Sequence, residues 1–210
     1  MPKAAAKKDG KPVRRRIRRD ARRESILQIS SVEFAKSGYD GLKTQELAAA
    51  CGVSEALVYQ HFESKAELYE AVMQRASDAL QEQLEEASAP GPPVAERLER
   101  GLDTFIAFVA DPSNAWPTLT QQVGDTEIGA YQRELRGRAI GSLARLLALD
   151  PRASRAGLKK RQLEQLAEII AGGAEALAAW WNNNPKAKRS ELVPLLTEFV
   201  WSGFDRMVEG

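Results

Sequence analysis

With one cysteine, one histidine and no long apolar run, the 210-residue chain excludes several classes of function before any motif is considered. Cys51 has no second thiol to pair with, and its place in a short turn suits a small packed side chain better than a redox sensor. A metal site or nucleophile pair built from Cys51 and His61 lacks a third group nearby. No glycine-rich phosphate loop is present, and the acidic run Glu82-Gln83-Leu84-Glu85-Glu86 reads as a solvated helix face rather than a set of metal ligands. Catalysis, a bound metal and a cofactor are therefore not expected. No stretch approaches the roughly 18 uncharged apolar residues of a membrane span, and the basic N-terminus has no apolar segment behind it to make a secretory signal. A cytoplasmic protein without membrane contact is expected. Alternating strand patterns and hairpin signals are missing too, which leaves an all-α fold.

What is present is a core-forming composition, 43% apolar, in a chain long enough for one small unit and one larger helical domain. The net charge of +1 hides a division. Residues 1–23 hold eleven Lys or Arg against Asp9 and Asp20, a local charge of +9, while the remainder, with 19 basic and 27 acidic side chains, carries −8. A basic segment acts within a Debye length of about 8 Å at physiological salt, so it can meet an anionic polymer although the whole chain is nearly neutral. Residues 1–17 have few large apolar groups and are expected to form a flexible basic arm, with Arg14, Arg15 and Arg16 on phosphates.

The stretch Thr44 to Lys65, TQELAAACGVSEALVYQHFESK, has the spacing of two short helices joined by one tight turn. Thr44 is placed to cap the first, with Glu46 where the helix dipole favours a negative charge. Gly52 supplies the positive φ needed between steeply crossing helices, and Ser54 caps the second. On a 100° wheel Leu57, Val58, His61 and Phe62 share one side, and Glu55, Ala56, Tyr59 and Gln60 the other. The first side packs and the second is free to touch a partner, which is the arrangement of a helix-turn-helix.

The block from Glu24 to Met73 resembles the DNA-binding domain of the tetracycline-repressor-like (TetR) regulators. The marks are Phe34 with Gly38-Tyr39, Thr44, Gly52-Val53-Ser54, the run Tyr59-Gln60-His61-Phe62, and Ser64-Lys65. Glu33 departs from the pattern, standing where the family usually carries an apolar residue on the buried face of its first helix. The resemblance implies a homodimer on a double-stranded DNA operator, an unidentified small-molecule effector, and repression as the outcome. By matching positions it implies that Thr44, Ser54, Tyr59, His61 and Lys65 grip phosphates, with Gln45 beside them, while Glu55, Ala56 and Gln60 face base edges.

Three regions are expected: the arm over 1–17, a three-helix DNA-binding domain over 18–64, and a helical ligand-binding and dimerisation domain over 65–210, about nine helices in all. The first helix runs from about Arg18 to Lys36 and stops at Gly38. Ser64 to Glu67 form a capping box that opens the fourth helix, whose stripe Tyr69, Met73, Ala76, Leu80 and Leu84 is long enough to carry a rigid displacement. Beyond Pro90-Gly91-Pro92-Pro93 follow a fifth helix (about Val94 to Ala110), a short sixth (about Trp116 to Val123) and a seventh (about Thr126 to Leu149). A basic loop then leads to an eighth (about Leu158 to Asn182) and a ninth (about Lys188 to Val208).

The eighth helix shows Leu163, Leu166, Ile170, Leu177 and Trp181 along one side, and the ninth shows Leu192, Leu195, Phe199, Val200 and Met207. Core within one subunit accounts for part of each stripe. Gly172-Gly173 and Gly203 permit close approach, so these two helices and their two-fold copies are expected to pair as a four-helix interface. Helices five to eight are expected to enclose a largely apolar pocket with Phe105, Trp116, Tyr131 and Trp180 on its wall. The short sixth helix, bounded by Pro112, Pro117 and Gly124, is the element suited to shift when the pocket fills. The alternative is a DNA-binding architectural protein of the same fold without an inducer. A large, aromatic-rich second domain on a stiff helix favours regulation.

Overall fold

The computed structural model describes residues 11–124, 126–184 and 186–209, and among these it has ten α-helices, one short 3-10 turn and no strand. Helix α1 (Lys11–Gly41) starts several residues before the expected point, because its arginines are good helix formers. Arg14, Arg15 and Arg16 thus fall within a helix; residues 1–10 of the expected arm lie outside the described residues. At Gly38 the backbone turns left-handed (φ 69°, ψ 174°), which breaks α1 and directs Tyr39-Asp40-Gly41 towards the next element. Glu33 does not disturb the packing, since it sits at the edge of the buried face and pairs with Lys36 at 2.9 Å.

Helix α2 (Thr44–Ala50) is capped differently from the sequence reading. The cap position is Lys43, whose N–H donates to Glu46 Oε2 at 3.2 Å, and Thr44 is the first helical residue. Gly52 (φ 64°) makes the turn, and Ser54 caps α3 (Glu55–Tyr59) by accepting from the Leu57 N–H at 3.2 Å. Ser64 Oγ accepts from the Glu67 N–H at 3.0 Å at the head of α4 (Lys65–Ala87), a rod about 35 Å long. The carboxylate of Glu67 reaches back to the Glu63 N–H.

After the proline break come α5 (Val94–Ala110), the 3-10 turn Pro112–Asn114, α6 (Pro117–Thr120) and α7 (Thr126–Ala148). The loop expected next holds a further helix, α8 (Pro151–Arg155): proline at the first position and Asp150 accepting from the Arg152 N–H at 2.9 Å are helix-starting signals. The expected eighth and ninth helices are accordingly α9 (Lys160–Asn182) and α10 (Arg189–Glu209).

Two cores result. One gathers Ile26, Phe34, Leu47, Val58, Phe62 and Tyr69 under α1 to α4 and is closed by Ile128 and Leu135 of α7. The other lies among α5, α7, α9 and α10, around Leu102, Ile106, Leu147 and Ile170. The boundary expected between residues 64 and 65 coincides with the head of α4, and Leu68, Tyr69, Val72 and Met73 of that helix belong to the first core. The stripe read along the last helix divides into two faces. Leu192, Val193, Leu196 and Phe204 are buried, whereas Leu195, Phe199 and Met207 point outward, Phe199 being 75% exposed.

Candidate nucleic-acid interface and ligand cavity

The α2–turn–α3 unit presents one continuous exposed face. Val58 and Phe62 are buried, Leu57 and His61 half-buried, and Gln45, Ser54, Glu55, Ala56, Tyr59 and Gln60 exposed. Tyr59 OH donates to Thr44 Oγ1 at 3.3 Å, so these two expected contacts, fifteen residues apart, stand together. Lys65 Nζ lies 4.6 Å from the centre of the Tyr39 ring, held at the base of α4 by cation–π attraction.

Beside this face, in addition to Arg14, Arg15 and Arg16 expected at DNA, lie Arg19, Arg22 and Arg23 of α1. Arg23 covers the Phe62 ring at 4.6 Å, and all three act on His61. Their spacing of three and four residues puts them on one helical face, a signal legible within the helix expected from Arg18. Burial chiefly, then the charges of Arg19, Arg23 and Arg22, hold the His61 imidazole below its ordinary pKa of 6.5. Its Nδ1 is buried without a hydrogen-bond partner among the described residues, which also disfavours a second ring proton. The Cys51 thiol is pushed up by burial, so it is not poised for reaction.

A cavity of about 790 Å³ opens between α4, α5, α7 and α9, within the range of small-molecule sites. Leu80 and Leu84 bring α4 into its wall, beside Leu102, Phe105, Leu143 and Ile170. Two of the four expected wall residues are there: Phe105 and Trp116, with ring centres 5.2 Å apart, edge to face. Tyr131 is instead turned towards the first core and donates to Gln74 Oε1 at 2.5 Å, and Trp180 is half exposed on α9. The correction has one cause, the side of the helix on which each residue falls.

Residues 112–124 join cavity and DNA-binding unit. Trp116, Leu119 and Val123 line the cavity, and Leu119 and Val123 also pack on the first core. The Thr118 carbonyl accepts from Tyr69 OH at 3.2 Å on one side and from Gln132 Nε2, a cavity residue, at 3.0 Å on the other. Tyr69 packs at a tilt against Tyr39, ring centres 5.1 Å apart, and Tyr39 is the ring beneath Lys65. Burial and the charge of Asp40 push the Tyr69 phenol up to about 12, so it remains a donor at physiological pH. No local sequence pattern announces these contacts, which bridge 14 to 49 residues.

A helix-turn-helix with a basic flank, set on a helical domain that encloses an apolar cavity, defines a DNA-binding regulator. Residues 26–72 match the bacterial regulatory proteins, tetR family, and residues 94–203 match the tetracyclin repressor-like C-terminal domain. The HTH-type transcriptional activator FasR of Mycolicibacterium smegmatis is 26% identical over 195 residues, spanning 91% of this chain and 87% of that protein. The crystal structure of a TetR-like transcriptional regulator from Rhodococcus sp. RHA1 is similar with a TM-score of 0.71 at 26% identity, over 87% of this chain and 96% of that one. AibR, solved in complex with isovaleryl coenzyme A and operator DNA, shares the fold at a TM-score of 0.66 and 22% identity, over 85% and 97% of the two chains. The chain belongs to the TetR family and is a DNA-binding transcriptional regulator.

Proposed function

We propose that this regulator binds its operator as a dimer through α9 and α10 and is released when an amphipathic acyl compound fills the cavity. The single observation that carries the reading is the Thr118 carbonyl, shared between Tyr69 under the DNA-binding unit and Gln132 in the cavity wall. Filling the cavity against Trp116 and Leu119 displaces the 112–124 segment, and the displacement passes through Tyr69 and α4 to the recognition helices. That segment is already under tension. Ala115 holds a positive φ of 52°, and Gln121 Oε1 is buried without a hydrogen-bond partner among the described residues.

The chemistry of the wall supports the ligand class: leucines, Phe105 and Ile170 offer an apolar chain its surroundings, and Arg97, Arg133 and Arg145 offer an anionic end its counter-charge. None of these three arginines is in an ion pair among the described residues, whereas Arg136 is spent on Glu168 and Glu175. The isovaleryl coenzyme A bound by AibR is a compound of this kind. At the DNA face, Thr44, Gln45, Ser54, Tyr59, His61 and Lys65 are assigned to phosphates and Glu55, Ala56 and Gln60 to base edges.

An Ala171→Phe substitution tests the placement, because Ala171 lines the cavity far from the DNA face. Operator fragments selected from random DNA are expected to bind wild type and variant alike, within about twofold, while lauroyl-coenzyme A releases only the wild type. Equal release from both proteins puts the ligand elsewhere.

A further inference from the structure

A second pocket, also about 790 Å³, lies against the first. Its walls are the Pro90–Val94 loop and first turn of α5, the Leu149–Arg155 segment, and Trp201 of α10. Pro90, Arg97 and Leu149 line both spaces, so the two pockets adjoin. Two features of the second pocket stand out.

Its framework is fixed. Arg152 grips Asp150 with Nε at 3.1 Å and Nη2 at 2.9 Å, reaches Asp205 with Nη1 at 2.8 Å, and lies 5.3 Å from the centre of the Trp201 ring. This network holds the Asp150 carboxyl below the usual carboxylate range and uses up the charge of Arg152. Its remaining charge is positive. Arg155 is exposed and Arg97 gives only its Nε, to the Ser88 carbonyl at 2.7 Å; neither is in an ion pair among the described residues. The first turn of α5, which lines this pocket with Val94 and Ala95, has no side-chain cap.

We propose that the second pocket is a head-group site: it holds the phosphorylated carrier of an acyl thioester whose chain occupies the first cavity. This rests on the acyl-effector reading above and adds what the effector carries. A free fatty acid ends in one carboxylate, which leaves the second pocket unfilled and a second arginine unmet. A coenzyme A thioester carries several phosphate charges on a head bulky enough for that space, and guanidinium groups match phosphate geometry.

The test is titration calorimetry of the full-length protein with lauroyl-coenzyme A and with laurate, for wild type, Arg155→Glu and the control Arg161→Glu. Arg161 is exposed on α9 and lines neither pocket. Reversing Arg155 is expected to weaken the thioester by about tenfold or more, as loss of a charge-assisted contact does, and to leave laurate within about twofold. Operator binding without effector, unchanged in Arg155→Glu, checks the fold. Equal thioester affinity in wild type and Arg155→Glu, or an equal loss in Arg161→Glu, overturns the head-group site while leaving the cavity reading intact. Failure of wild type to bind either compound overturns both.

Discussion

His61 is the residue of the proposed DNA face whose protonation operator binding is expected to change. In the free protein its pKa lies below 6.5, because burial and three arginines oppose a further positive charge. Operator phosphates placed as proposed would offset those arginines and raise the pKa of His61 in the complex above that in the free protein. Proton uptake therefore accompanies DNA binding. Affinity is greatest below the free-state pKa and is lost as pH rises through the value in the complex. For folding alone the sign reverses: the depressed pKa contributes stability that is present above about pH 6.5 and lost as pH falls through the folded value. We expect operator affinity to rise several-fold between pH 8 and pH 6 in fluorescence anisotropy, and the rise to vanish in His61→Gln. The same slope in both proteins would assign the proton to another group. Residues of this face were legible in the sequence because a 3.6-residue period and a glycine turn settle which side chains face out. The Thr44 cap was misplaced by one position, since Glu46 serves the Lys43 N–H better than the threonine hydroxyl serves its own helix. Arg22 and Arg23 lay within the expected first helix, and only the folded packing of α1, with Arg23 over the Phe62 ring, brought them to the face.

At the scale of elements, the 112–124 segment and α4 form the proposed transmission, and Tyr69, bonded to the Thr118 carbonyl, is the joint between them. Removing its hydroxyl leaves the Thr118 carbonyl still bonded to Gln132, so Tyr69→Phe should cost about 1 kcal/mol or less in stability. Operator affinity without effector is expected to stay within about twofold. The change produced by lauroyl-coenzyme A should shrink markedly in the same gel-shift titration; a full response in Tyr69→Phe would show that the signal takes another route. Regular helices were readable from their stripes, and α5 runs over the expected residues. Helix α8 was passed over although Asp150-Pro151 is a helix-starting pair, because the same dipeptide also ends α7. The junction itself was unreadable, since its bonds join residues that only the folded topology brings together.

On the scale of the whole molecule, α9 and α10 leave an apolar surface uncovered: Ile169 and Trp180 on one helix, Leu195, Phe199 and Met207 on the other. Gly172 and Gly203 lie within these faces, and a methyl group added at either would meet nothing within 4 Å, so there is room for a second copy to approach closely. The spacing of the two recognition helices then depends on how this surface is closed, and it must match half-sites about 34 Å apart. Phe199→Glu places a charge in that surface and should give monomers in analytical ultracentrifugation, with operator affinity lost along with the dimer; a dimeric Phe199→Glu would place the interface on other helices. The two-sided character of α10 was hidden in the sequence, where core and interface residues have the same apolar chemistry.

Coupling between cavity and operator is the central claim, and thermodynamic linkage tests it most directly. Operator affinity is measured with and without saturating lauroyl-coenzyme A, and lauroyl-coenzyme A affinity with and without operator, in one buffer. A coupling of about 1 to 3 kcal/mol predicts a 5- to 150-fold loss of operator affinity, matched by the same factor in effector affinity. An operator affinity that the bound effector leaves unchanged would contradict the account.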